Sequence, residues 1–289
     1  MGAFTLFLIQ SLNTLSIAAI LFLITMGMTL IFGIMRILNF AHGAIYMLGA
    51  YIGTSIYQIS GNFWVSIVVA PVLTMIFGVL AESLLLRRLY GRDGTAFLLV
   101  TFGLALMITE AIRFYWGPNN LQIDAPDALA GVAQIAGEPY SVYRLFLIAA
   151  GLASGIAIWI ILQTTRFGLL IRSTAQNAAM TEALGVNVTL VRRAVFGASC
   201  GLAALGGVLS TPLFSASIGM GAAIIIDACV VIMIGGMGSL IGTAAGCLLL
   251  GLFQAFGTYY FPDYAIGASF MVMIVVLLIR PGGLFGMEE

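Results

Sequence analysis

Apolar runs long enough to cross a bilayer recur along almost the whole chain, and arginines mark their ends. A membrane helix needs about 20 mostly apolar residues to cross a hydrocarbon core about 30 Å thick. Runs of that kind read from residues 4–34, from 37 to Tyr57, from Trp64 to Leu86 and from Thr95 to Trp116. They continue from Tyr143 to Thr165, from Ala194 to Phe214 and from Tyr264 to Ile279. A further apolar stretch, 222–258, is interrupted by GGMGS at 235–239. The predicted fold is an all-α integral membrane protein of about eight transmembrane helices, forming one transmembrane domain over 1–289. With 62% hydrophobic and 8% charged residues, little chain is left for a soluble domain. The first residues carry no basic region and no cleavage site, so they read as part of the domain and not as a secretory signal.

The arginines orient the spans. If the spans alternate, Arg36, Arg87, Arg88, Arg92, Arg166, Arg172, Arg192, Arg193 and Arg280 fall on one side, and only Arg113 and Arg144 lie toward the other. Basic residues concentrate on the cytoplasmic side of membrane proteins. The N-terminus is then outside, the C-terminus is cytoplasmic, and the loop over 117–142 is outside. On this accounting 222–258 must enter and return. Its first arm, Ala222 to Ile234, is too short to cross a full bilayer as a helix, so a hairpin of short helices or a re-entrant arm buried in protein is expected.

The cytoplasmic loop 166–193 has punctuation of its own. Ser173 and Gln176 have the spacing of a capping box, and Gly185 stands where a helix wants a left-handed terminal residue. The predicted helix runs from Thr174 through Gln176, Asn177, Ala178, Ala179, Met180, Glu182 and Ala183 to Leu184. Met180, Ala183 and Leu184 share one face. The stretch reads either as a connecting loop with a helical turn or as a lever that docks into another protein.

Glycine-interrupted segments in corresponding positions of a transporter point to its pathway. Two are present: Asn39, Phe40, His42 and Gly43 in NFAHG, and Gly235, Gly236 and Gly238 in GGMGS. Asn39 also reads as a helix N-cap. Asp227, in IIIDACVV, is expensive in lipid and must face protein or water, so it reads as a pathway residue or a structurally paired one. Glu110 is expected to pair with Arg113 one turn on, and Glu82 to pair with Arg87 or to cap its helix. Gly197, Gly201 and Gly206 approximate the small-residue spacing of close helix packing.

Several chemistries are excluded. All eleven basic residues are arginines, so the chain lacks the lysine of a nucleotide-binding P-loop and cannot hydrolyse ATP by that route. Cys200, Cys229 and Cys247 lie in apolar segments at no metal-ligand spacing. No catalytic triad or zinc-protease motif occurs. The net charge of zero gives no sign of nucleic acid.

The block GMTLIFGIMRILNFAHGAIYMLGAY at 27–51 resembles the signature of the branched-chain amino acid ABC-transporter permeases, the LivH-type subunits. ESLLLRRLY at 82–90, NAAMTEALGVN at 177–187, GGMGSLIGTAAG at 235–246 and RPGGLFG at 280–286 extend the resemblance, in order, over nearly the whole chain. It implies a multi-pass permease subunit of the bacterial cytoplasmic (inner) membrane. The implied partners are a second permease, LivM-like or a copy of itself, two cytoplasmic ATPases that carry ATP and Mg, and an extracytoplasmic solute-binding protein. The loop matching 174–187 would be the coupling helix that sits in an ATPase groove. Members of the family differ in substrate, among leucine-type amino acids, urea, amides and aromatic acids. A proton-coupled secondary transporter using Asp227 or Glu110, or a passive channel, would need no ATPase.

Overall fold

A computed structural model describes residues 2–90, 94–262 and 265–286. Arg92 and Tyr264 lie outside the described residues. The chain folds into helices α1 (Ala3–Met35), α2 (Ala41–Ser60), α3 (Phe63–Leu84), α4 (Gly94–Trp116), α5 (Val142–Thr164) and α6 (Arg166–Gln176). They are followed by α7 (Ala178–Ala183), α8 (Val188–Phe214), α9 (Met220–Gly235), α10 (Leu240–Tyr260) and α11 (Ala265–Ile279). Six of these, α1, α3, α4, α5, α8 and α10, are long and apolar enough to cross a membrane. With α2, α9 and α11 they form the expected all-α bundle.

Glycines decide how the bundle packs. α8 stands at its centre because small residues let neighbours approach on several sides. Gly197 faces Val79 and Met75 of α3, and Gly206 faces Leu23 of α1. Gly207 abuts the Tyr46 carbonyl of α2. The neighbours reciprocate: Gly78 of α3 lies on Cys200, and Gly49 of α2 lies on Ala204. A Cβ built at Gly78 would stand 2.8 Å from that of Cys200. α3, α4 and α5 turn Leu73, Leu99, Met107, Leu152 and Trp159 outward, the surface a hydrocarbon solvent requires.

The start of α2 is drawn into the bundle instead of ending at its surface. Arg36 closes α1 in a left-handed conformation (φ 54°), its N–H on the Phe32 carbonyl. The chain then runs extended to Asn39, whose Oδ1 accepts from the Ala41 N–H at 3.1 Å. His42 reaches the Ile24 carbonyl with Nε2 at 3.0 Å. Ile24 lies three turns before the end of α1, about 16 Å of helix, so the NFAHG segment sits well inside the protein.

Of the two arrangements expected for 222–258, a helical hairpin is formed, with a short first arm and a second arm, α10, long enough to cross. α9 has 16 residues, about 24 Å, short of a full crossing. Gly221, near its start, packs on Gly43 of α2. The turn between α9 and α10 uses Gly236 (φ 99°) and Gly238 (φ 85°), conformations that favour glycine. The RPGGLFG segment folds back onto this turn. The Leu284 N–H donates to the Ile234 carbonyl at 2.8 Å and the Phe285 N–H to Gly235 at 3.1 Å. Gly283 and Gly286 lie directly against Gly236, backbone on backbone.

Two boundaries differ from the sequence reading. α8 begins at Val188, not near Ala194, because Asn187 caps it by accepting from the Leu190 N–H at 3.0 Å. Arg192 and Arg193 are therefore helical. The loop 117–142 contains a hairpin, β1 (Val132–Ile135) with β2 (Glu138–Ser141). Ala136 and Gly137 both have positive φ, as a two-residue hairpin turn of matching twist requires.

Candidate coupling loop and membrane cavity

The loop between α5 and α8 is two helices, not the single helix from Thr174 to Leu184 that the spacing predicts. Thr165 caps α6, accepting from the Gly168 N–H at 3.0 Å. Ser173 is thus interior to α6 and donates back to the Leu170 carbonyl at 3.1 Å, so the expected capping box is absent. The break falls at Asn177, which takes an extended backbone (φ −153°) and accepts from the Met180 N–H at 2.9 Å to start α7. Asn competes for local backbone donors, and this favours a cap over a helix interior. The reading of Gly185 matches: it has φ 86°. The Val186 N–H reaches Thr181 at 3.3 Å and the Gly185 N–H reaches Glu182 at 2.9 Å. That pair of bonds is the Schellman arrangement.

Thr174 and Thr181 are buried and anchor the loop, whereas Gln176, Asn177, Ala179, Glu182, Ala183 and Gly185 are exposed. Met180 is 60% exposed and Leu184 78%. A short helix thus presents apolar side chains at the arginine-rich end of the bundle. Beside it lies a cleft of about 540 Å³ lined by Arg87, Glu182, Gly185, Val186, Asn187, Thr189, Leu190 and Arg193.

Behind the cleft sits a fully buried carboxylate. Glu82 accepts from the Arg193 Nε at 3.2 Å and from the Tyr90 hydroxyl at 2.7 Å. Its partner is therefore Arg193 of α8, not Arg87. Burial first, and then the Glu82 hydrogen bond, push the Tyr90 hydroxyl's pKa up, so it remains a donor. Glu110 and Arg113 pair as expected, at 3.0 Å on an exposed face.

A second cavity, of about 930 Å³, opens among α1, α2, α5, α8, α9, α10 and α11 toward the end of the bundle opposite the α6–α7 loop. Ile17, Ile20, Leu21 and Ile224 give it apolar walls, and Gln10, Asn13, Arg144, Asp227 and Gln254 give it polar groups. Arg144 donates to the Asn13 Oδ1 at 2.8 Å. Asp227 lies against the Gln254 amide. Among the described residues neither Asp227 nor Arg144 has an ion-pair partner.

Of the sequence-derived pathway residues, only Asp227 lines this cavity. Asn39, His42 and Gly43 are buried in the packing of α2 against α1 and α9. Phe40 is half-buried, its N–H 3.4 Å from the Thr101 Oγ1. Gly235, Gly236 and Gly238 shape the α9–α10 turn at the far end of α9. NFAHG and GGMGS therefore do not meet in one path: each allows a backbone approach at a different depth. The residues that join Asp227 in the cavity were visible in the sequence only as polar interruptions of apolar spans.

An apolar helical bundle with a polar-patched cavity within it is the architecture of a multi-pass membrane transport permease, and its sequence carries no nucleotide-binding lysine loop. The chain belongs to the family described as branched-chain amino acid transport system / permease component, whose family model matches residues 10–278. It is 27% identical to the high-affinity branched-chain amino acid transport system permease protein BraD of Pseudomonas aeruginosa, over 98% of this chain and 97% of that one. It is 25% identical to the corresponding LivH of Escherichia coli K12, over 99% and 97%. A probable LivH of Methanocaldococcus jannaschii is 24% identical over 93% and 89%. These relatives are transport permeases, not enzymes, and ATP hydrolysis belongs to separate subunits of such importers.

Proposed function

We propose that this chain forms half of the translocation pathway of an ATP-driven importer for branched-chain or similarly hydrophobic amino acids. The observation that carries the proposal is the 930 Å³ cavity. Apolar walls suit an aliphatic side chain. Asp227 within α9 and Arg144 at the start of α5, both without ion-pair partners among the described residues, suit the ammonium and carboxylate of a zwitterion. A charge at the depth of Asp227 is costly unless it faces a polar path. The names of the relatives support the same substrate class.

The arginine-rich end is cytoplasmic on this reading, which puts the N-terminus outside and the C-terminus inside. α7 and its exposed Met180 and Leu184 dock in a groove of a partner ATPase. A second permease, of the same or a related sequence, completes the pathway, and an extracytoplasmic binding protein delivers solute to the cavity. Nucleotide-driven closure of the ATPases moves α7 as a unit, and the cavity alternates its opening. ATP and Mg reside on the partner chains.

The test is reconstitution of the chain with its ATPase and binding-protein partners in proteoliposomes. Leucine uptake should require ATP on the ATPase side and should persist with a protonophore. Uptake by this chain alone, abolished by a protonophore, would replace the proposal with a proton-coupled carrier.

A further inference from the structure

We propose that Glu82 is a positioning residue that locks α3 to the head of α8, so that α7 drives the two helices as one body. The inference rests on the assignment of α7 to the ATPase groove. Glu82 holds Arg193 at 3.2 Å and Tyr90 at 2.7 Å. Arg192, the neighbouring residue on α8, places its guanidinium 5.0 Å from the Tyr90 ring centroid. The turn Leu86–Leu89 brings Tyr90 back to Glu82. Consecutive arginines of α8 thus grip one segment at the end of α3, the first through the ring and the second through the carboxylate.

Arg193 also lines the cleft beside α7, together with Glu182 and Gly185. One side chain therefore faces both the moving loop and the buried acid. Farther along, the two helices are already interlocked. Gly78 packs on Cys200, and Gly197 on Val79. These small residues supply adhesion one turn away from the ion pair.

Adhesion alone does not require a carboxylate with no exposed surface. A well-packed apolar pair of similar volume commonly holds helices together as well as a buried ion pair or better. What an ion pair adds is a fixed relative position, because a shifted register leaves a charge buried and unpaired. A fixed position at this point makes the tilt of α8 inseparable from that of α3, whose outer end packs through Phe63 against Tyr143 of α5. Displacement of the loop then reaches helices on two sides of the bundle.

The experiment uses the assembled transporter in proteoliposomes, reading leucine moved per ATP hydrolysed alongside the melting temperature. Glu82→Gln takes the charge from both hydrogen bonds and Tyr90→Phe removes one of them; each should lower that ratio about tenfold. The double variant Glu82→Met with Arg193→Leu should recover the melting temperature without recovering the ratio. A ratio within twofold of the parent in the single variants overturns the inference, and so does a double variant that recovers both quantities. Should Glu82→Gln fail to assemble, Tyr90→Phe, which removes a single hydroxyl, decides. Leu184→Asp, at the C-cap of α7, serves as the reference. If it too leaves the ratio unchanged, the α7 assignment has failed. If it alone uncouples, only the role of Glu82 has.

Discussion

Replacing Gly185 by alanine isolates the conformational role of one residue in the candidate coupling loop. Gly185 closes α7 at φ 86°, and a Cβ added there meets nothing within 4 Å. Steric clash therefore contributes nothing, and the whole effect is the cost of a left-handed L-residue, about 1–2 kcal/mol. That cost shifts the closed terminus toward frayed conformations by a factor of roughly 5 to 30. The bonds lost are those from the Val186 and Gly185 N–H groups to Thr181 and Glu182. Hydrogen exchange at the Val186 amide should accelerate by the same factor in Gly185→Ala. It should stay near the parent value in Gly185→Asn, because asparagine tolerates this conformation. If α7 acts as a lever, leucine transport per ATP should fall with the alanine variant and return with the asparagine one. Exchange and coupling that are the same in all three proteins would refute both the cap and the lever.

Other substitutions address other parts of the molecule. Asp227→Asn keeps the shape of the cavity but removes its negative charge, and should cut ATP-driven leucine uptake roughly tenfold while the complex still assembles by gel filtration. Tyr143→Phe removes the buried hydrogen bond from its hydroxyl to the Leu209 carbonyl at 2.7 Å. It should lower stability by about 1 kcal/mol, read as an earlier melting transition in detergent. Gly207→Val drives side-chain atoms into the Tyr46 carbonyl and should cost about 3 kcal/mol, seen as a sharp drop in folded yield. Gly103→Ala, where nothing lies within 4 Å of the new methyl, should instead be neutral or stabilising by about 1 kcal/mol.

Most of the bundle was legible in the sequence because each long helix carries its own signal. Apolar length gives the span, arginines give the ends, and the glycines of α8 announce close neighbours. The short arm before GGMGS likewise narrowed 222–258 to a hairpin or a re-entrant arm through simple length. Signals that depend on competition were harder to read. Ser173 and Asn177 are both able to cap a helix, and only the placement of Thr165 and Gly168 shows that Asn177 prevails. Arg87 and Arg193 are both able to reach Glu82, and the packing of α3 on α8 selects the residue more distant in sequence. The cavity was least legible. Gln10, Asn13, Arg144, Asp227 and Gln254 come from four helices spread over most of the chain, and no local spacing links them. The β-hairpin in 117–142 was hidden for a different reason, since its strands are four residues each and lie among prolines and acids.

The glycine seam at the hairpin turn has a consequence for biosynthesis. Gly236 packs against residues 283–286, so the turn leaves the ribosome long before the segment that covers it. Until α10 and α11 have been inserted, the carbonyls of Ile234 and Gly235 must be satisfied by water or by a membrane-insertion factor. The last step in maturation at that end of the bundle is then a zippering of one main chain onto another. A nascent chain stalled between 260 and 280 would hold every long helix and still lack the closed turn.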